Sequence, residues 1–397
     1  MPNIQTKNFS HPSYPFKKDG YEFEFATLEN KARSLIKVKY QNREFFLEVI
    51  KREDDYLIKA EKLTRFSPVF IIQKALSTLS SALNLELTYS NIDSKKSSMH
   101  FDKTDKYLKN IEYFVDEFKP TTKLAIEIGF GSGRHLLYQA KKNPDILHIG
   151  IEIHKPSIEQ VIKQCKLQNI NNILLLDYDA RIFLELLPTQ IVKTIFLHFP
   201  VPWDKKPHRR VISKKFIKEC FRVLQKDGTF ELRTDSQNYY EYSFEVINLF
   251  ESFDLRVRKN FSLDISSKYE DRWKKMDKNI YDIILTNTNP KYEEKKSLKI
   301  EFDKDIYNYF PTLSKNFKKE CIKGENFFIN FENLFKINEN EGVIKVTLGS
   351  YEKSEHKYII FKDKFVQYFP NNILPTKDNF DAHVSLINHI KKVKDVH

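Results

Sequence analysis

Residues 123–133 read KLAIEIGFGSG. From Leu124 to Ile128 the run is apolar except for Glu127 and shows no apolar-polar alternation, the pattern of a strand covered on both faces in a parallel sheet. Three of the nine glycines in the chain then fall within five residues, at Gly129, Gly131 and Gly133. In so glycine-poor a chain this clustering marks a tight turn where backbone comes close to a ligand, and SGRHLLYQAKK (132–142) reads as the helix that follows.

Outward from this turn the pattern repeats. ILHIGIE (146–152), NILLLD (172–177), TIFLHFP (194–200) and GTFELRTD (228–235) are short apolar runs separated by amphipathic segments. LRVRKNFSL (255–263) and NIYDIILTN (279–287) fit a closing pair of strands at one sheet edge. The expected fold class is α/β, a Rossmann-like doubly wound sheet over residues 101–290. The flanks differ. YEFEFA, LIKVKY, EFFLEV and DYLIKAE between residues 21 and 61 alternate as half-buried antiparallel strands do, and Ser67-Pro68 offers a cap and first residue for a helix reaching to about Leu85. SNIDSKKSSMH (90–100) has linker composition. Beyond Pro290 arginine is absent, and NFFINF, GVIKVTLG, KYIIFK and KFVQYF return to β-like runs before a helix near residues 380–393. Three domains are expected: a β-rich accessory domain over 1–100, the α/β domain over 101–290, and an α+β accessory domain over 291–397.

At 397 residues with 41% hydrophobic and 30% charged residues, the chain has the apolar content of globular domains, and disorder is excluded. No run approaches the ~20 apolar residues of a membrane span, and prolines stand where a secretory core would lie, so the cytoplasm is the expected compartment. Cys165, Cys220 and Cys321 are far apart with no metal-ligand spacing, and neither a disulfide framework nor a metal is expected. The net charge of +12 is spread almost evenly, with one focus: residues 205–222 hold eight Lys or Arg against one Glu. Such a run is either a solvated face or a phosphate-binding surface.

The acids at the strand ends carry the chemistry. Glu152 stands twenty-three positions beyond Gly129, where folds of this class bind a ribose. In Asp177-Tyr178-Asp179-Ala180, Asp179 suits an adenine amino group. The third glycine comes one residue early for a dinucleotide fingerprint, and Glu127 would repel a pyrophosphate while attracting an ammonium group. S-adenosylmethionine fits this charge pattern better than NAD. After the fourth strand, FPVPWDKKPHRR (199–210) sets two prolines around Val201, which stiffens the backbone beside the tryptophan and the basic run. His198 reads as a packed or hydrogen-bonded residue, and Asp235 as a cap of the helix beginning at Ser236 or as a site acid.

Taken in order, EIGFGSG (127–133), GIEIH (150–154), DYDA (177–180), FPVPWDKKPHRR (199–210), RTD (233–235) and SKYEDR (267–272) resemble the tRNA (guanine-N7-)-methyltransferase family over about half the chain. The resemblance implies a class I S-adenosylmethionine-dependent methyltransferase that modifies guanine N7 in tRNA. It implies that Glu127, Gly129, Gly131, Glu152 and Asp179 bind the cofactor, that Lys205 and Asp235 contact the RNA, and that Ser267 and Glu270 lie in the loop holding the guanine. The family has aspartate where this chain has Val201, which leaves Asp235 and Asp204 as substitutes, with Asp235 favoured as the catalytic acid because it ends a strand. It also leaves open a tRNA-binding protein of little activity, or a methyltransferase for another base or a protein.

Overall fold

Alternating residues near the amino terminus build an antiparallel sheet in the computed structural model, which describes residues 2–66, 68–92, 106–265, 276, 278–290 and 298–393. Strands β1 (Asn3–Thr6), β2 (Phe16–Lys18), β3 (Tyr21–Ala26), β4 (Arg33–Tyr40), β5 (Arg43–Lys51), β6 (Tyr56–Ala60) and β7 (Leu87–Ser90) lie in the order β2-β3-β4-β5-β6-β1-β7. Helix α1 (Phe70–Ala82) buries Ile72, Ala75, Leu76 and Leu79 in the same core as Phe23, Val38 and Phe45. It starts after Val69, without a side-chain cap. Ser67, and the linker from residue 93 to 100, lie outside the described residues. Among the described residues no helix is long and apolar enough to cross a membrane.

The middle of the chain contains β8 (Leu108–Lys109), α2 (Ile111–Asp116), β9 (Leu124–Ile128), α3 (Arg134–Lys142), β10 (Leu147–Ile151), α4 (Lys155–Leu167), β11 (Ile173–Leu176), β12 (Val192–His198), α5 (Lys214–Val223), β13 (Leu224–Thr234), α6 (Gln237–Ile247), β14 (Asp254–Lys259) and β15 (Tyr281–Thr286). The sheet runs β14-β15-β13-β12-β9-β10-β11-β8, with β15 antiparallel to both β13 and β14 and the other pairings parallel. All five residues of β9 are buried, as the unalternating run requires. Chain order reverses at β9, which has β10 on one side and β12 on the other, and at such a switch point a crevice opens beyond the carboxyl ends of the strands. Gly133 caps α3 at φ +72°, and a Cβ there would stand 2.2 Å from Cγ2 of Val161, so only glycine lets α3 and α4 pack this closely.

The last segment contains α7 (Phe310–Lys315), β16 (Cys321–Lys323), β17 (Phe327–Lys336), β18 (Gly342–Ser350), β19 (Ser354–Lys362), β20 (Phe365–Phe369) and α8 (Lys377–Lys392). Its five strands pair in chain order, and α8 sets Ala382, Leu386 and Ile390 into their core. The reading from sequence makes the flanks two separate domains. Instead the chain falls into two compact units, one of residues 1–100 with 298–397 and one of residues 101–297. The reason is that β4 and β5 are apolar on both faces while α1 covers one. Phe25, Leu35 and Phe46 therefore share a core with Phe335, Val343, Tyr358, Ile360 and Phe369. The Phe46 ring meets Tyr358 and Phe369 edge-on, each 5.0 Å between centroids.

Candidate active site

The carboxyl ends of β13, β12, β9, β10 and β11 are side by side, and the acids selected from the sequence collect along that edge. Glu152, just past β10, ties the edge together. Its Oε2 accepts from the Gly131 amide at 3.0 Å, and its Oε1 accepts from Ile153 at 2.8 Å and His154 at 3.0 Å. A carboxylate offers about four acceptor positions, so three amides leave capacity for a ribose hydroxyl. Above the turn there is room. A Cβ on Gly129 would meet nothing within 4 Å, and one on Gly131 only the Gly129 carbonyl at 4.0 Å. Bare backbone beside a carboxylate fits the adenosyl part of S-adenosylmethionine.

The other two acids are already engaged. Glu127 is 4% exposed beneath the turn, with Oε2 2.8 Å from Nδ1 of His135. Asp179 is gripped by Arg181, whose Nε lies 3.0 Å from Oδ1 and whose Nη2 lies 2.6 Å from Oδ2.

The loop after β12 is held under strain. Phe199 and Trp203 adopt φ of +50° and +47°, a region that bulky residues rarely enter. Phe199 N donates to Arg233 O at 2.7 Å, which fastens the start of the loop to β13. Arg210 fastens its middle: Nε donates to Pro202 O at 2.7 Å, Nη2 meets Asp204 at 3.2 Å, and the guanidinium lies 4.3 Å from the Tyr242 ring centre. The residue is 8% exposed. A basic run that the sequence offers as a solvated face or a phosphate-binding surface thus contains a buried anchor. Lys205 and Arg209 remain exposed, and Arg209 stacks over Trp203 at 5.1 Å. Val201 is exposed.

Asp235 follows β13, but Ser236 caps α6, accepting from the Tyr239 amide at 3.2 Å. Asp235 pairs with Lys278 Nζ at 3.2 Å. Ser267 and Glu270 lie outside the described residues. His198 is hydrogen-bonded, its Nε2 3.1 Å from Glu231. Sequence reading missed the fully buried Arg233, whose Nη1 lies 2.6 and 2.8 Å from the Asp282 oxygens. The signal was available, since charged residues inside the apolar runs TFELRT and IYDIIL must find partners when buried.

A family model described as "Putative methyltransferase" matches residues 121–283. The chain is 41% identical over 401 residues to the tRNA (guanine-N(7)-)-methyltransferase of Campylobacter jejuni subsp. jejuni serotype O:23/36 (strain 81-176), covering 100% of this chain and 99% of the relative. A Wolinella succinogenes protein of the same name is 38% identical, covering 96% and 98% of the two chains. One from Helicobacter hepaticus is 35% identical, covering 98% of each. These relatives span the glycine turn, the proline loop and both flanks together: the chain belongs to the tRNA (guanine-N7-)-methyltransferase family, and its middle unit has the class I methyltransferase fold.

Proposed function

We propose that this chain transfers a methyl group from S-adenosylmethionine to N7 of a guanine in tRNA, acting in the cytoplasm. The observation that carries the reading is the whole-chain identity to the Campylobacter jejuni protein, flanks included. S-adenosylmethionine, when bound, supplies an electrophilic methyl group on a sulfonium centre. With it bound, Glu152 would hold the ribose beside Gly129 and Gly131, Asp179, alongside its Arg181 partner, would meet the adenine, and Glu127 would take the ammonium end. Guanine N7 brings a lone pair and no proton, so the chain needs no general base. It must align the two partners and stabilise the cationic ring that forms. Asp235, at the end of β13, supplies that negative charge, and Ser267 and Glu270 hold the base. Val201 motivates a second reading, in which the chain binds tRNA without modifying it.

Incubation with labelled cofactor and unmodified tRNA, followed by nucleoside analysis, decides between them. We expect 7-methylguanosine from the wild type, and from Asp235→Asn a single-turnover rate lower by about tenfold, or ~1.4 kcal/mol, with cofactor affinity retained. If wild-type protein that binds both ligands gives no 7-methylguanosine while Val201→Asp does, the second reading stands.

The basic loop gives a separate prediction. Neutralising Lys205 and Arg209 together should reduce the log-log salt slope of tRNA binding by about two, near 0.9 per phosphate contact. Because Arg210 is buried against Pro202 and Tyr242, adding Arg210→Ala should lower thermal stability and leave that slope where the double variant put it. An unchanged slope in the double variant would make the run a solvated face.

A further inference from the structure

We infer that His135 is a positioning residue for cofactor binding: it holds the Glu127 carboxylate beneath the glycine turn, oriented toward the cofactor's ammonium group. The inference rests on the cofactor reading above. Glu127 and His135 are 4% and 6% exposed, so the carboxylate has little water to solvate it. An isolated carboxylate in such a place takes up a proton and loses the charge that an ammonium group seeks. Nδ1 of His135, at 2.8 Å, occupies one of its roughly four acceptor positions and leaves the others.

The surroundings favour the protonated imidazole. Facing it are Glu127 on β9, Glu231 and Arg233 on β13, His198 on β12, Gln139 on its own helix and His148 on β10. Burial alone lowers the His135 pKa, but the charge and hydrogen bond of Glu127, with Glu231 behind, outweigh it and hold the group above the ordinary histidine value. Burial pushes His148 down to about 4, so it stays neutral. The His198 ring, 4.6 Å from the His135 ring, is occupied with Glu231, whose carboxyl lies below its ordinary value because, against burial, that hydrogen bond and the neighbouring basic groups together prevail. His135 stands in the first turn of α3, where the helix dipole disfavours a cation, so the upward shift comes from the carboxylates.

The test is calorimetry on the full chain with two probes. S-adenosylhomocysteine carries the ammonium group, whereas 5′-methylthioadenosine lacks the whole amino-acid arm. His135→Phe should weaken S-adenosylhomocysteine binding by about tenfold or more, as loss of a charge-assisted hydrogen bond does, and leave 5′-methylthioadenosine binding unchanged. His135→Asn, which sets an amide donor near the Nδ1 position, should restore most of the loss. If the Phe variant does not fold, His135→Gln, with its amide displaced from that position, is read by the same criteria. Equal losses for both probes would make the residue structural only, and an unchanged S-adenosylhomocysteine affinity would show that Glu127 needs no orienting partner. A wild type that binds neither probe overturns the cofactor reading, and the inference with it.

Discussion

Asp282→Ala should lower the free energy of unfolding by about 3–5 kcal/mol, the range for removing one partner of a buried ion pair. Asp282 is 2% exposed and sits directly opposite the fully buried Arg233 across the β13–β15 pairing. Nη2 of Arg233 also reaches the Phe261 carbonyl at 2.7 Å. The cost is that of taking from a buried guanidinium the carboxylate that accepts both bonds of its Nη1. The double change Arg233→Met with Asp282→Leu should recover most of it, because buried pairs replaced by apolar residues of similar volume are commonly neutral or stabilising. Urea unfolding of the three proteins checks both statements. A loss below about 1 kcal/mol for Asp282→Ala would mean that water reaches the guanidinium.

Glu152→Ala should weaken binding of S-adenosylmethionine by about 1.5–3 kcal/mol, or roughly 10- to 150-fold, as loss of a charge-assisted hydrogen bond to the ribose does. Its three amide partners set the context. Gly131, Ile153 and His154 are only partly covered, so water replaces the carboxylate at their N–H groups and the fold survives. Calorimetry on the variant, with its thermal transition recorded beside it, separates affinity from unfolding. Undiminished affinity in a folded variant removes Glu152 from the cofactor site.

The parallel sheet was legible because β9 to β13 are buried from both sides, and such strands have little choice but continuous apolar runs. The antiparallel strands were legible from their alternation. The union of the two flanks was not, since nothing local in YEFEFA or KYIIFK says which apolar face meets which. At the site, Glu152 was legible because its place depends on spacing along one βαβ unit. Arg210 was hidden: in KKPHRR it is one charge among several, and only packing against Tyr242 distinguishes it from Arg209. His135, His198 and Glu231 were hidden for a related reason. They are far apart in the chain, and only strand register together with the packing of α3 on the sheet brings them together.

The shared core of the two flanks has a consequence for synthesis. Phe25, Leu35 and Phe46 leave the ribosome early, whereas Phe335, Tyr358 and Phe369 follow only after the 101–297 unit has been made. At translation rates of 5–20 residues per second the wait from Phe46 to Phe335 is roughly 15–60 s, long on the time scale of collapse and aggregation. The catalytic unit is thus complete while its host is still half made. During that interval the first sheet presents an aromatic face with no native cover, which makes the nascent chain a client for chaperones until its last hundred residues emerge.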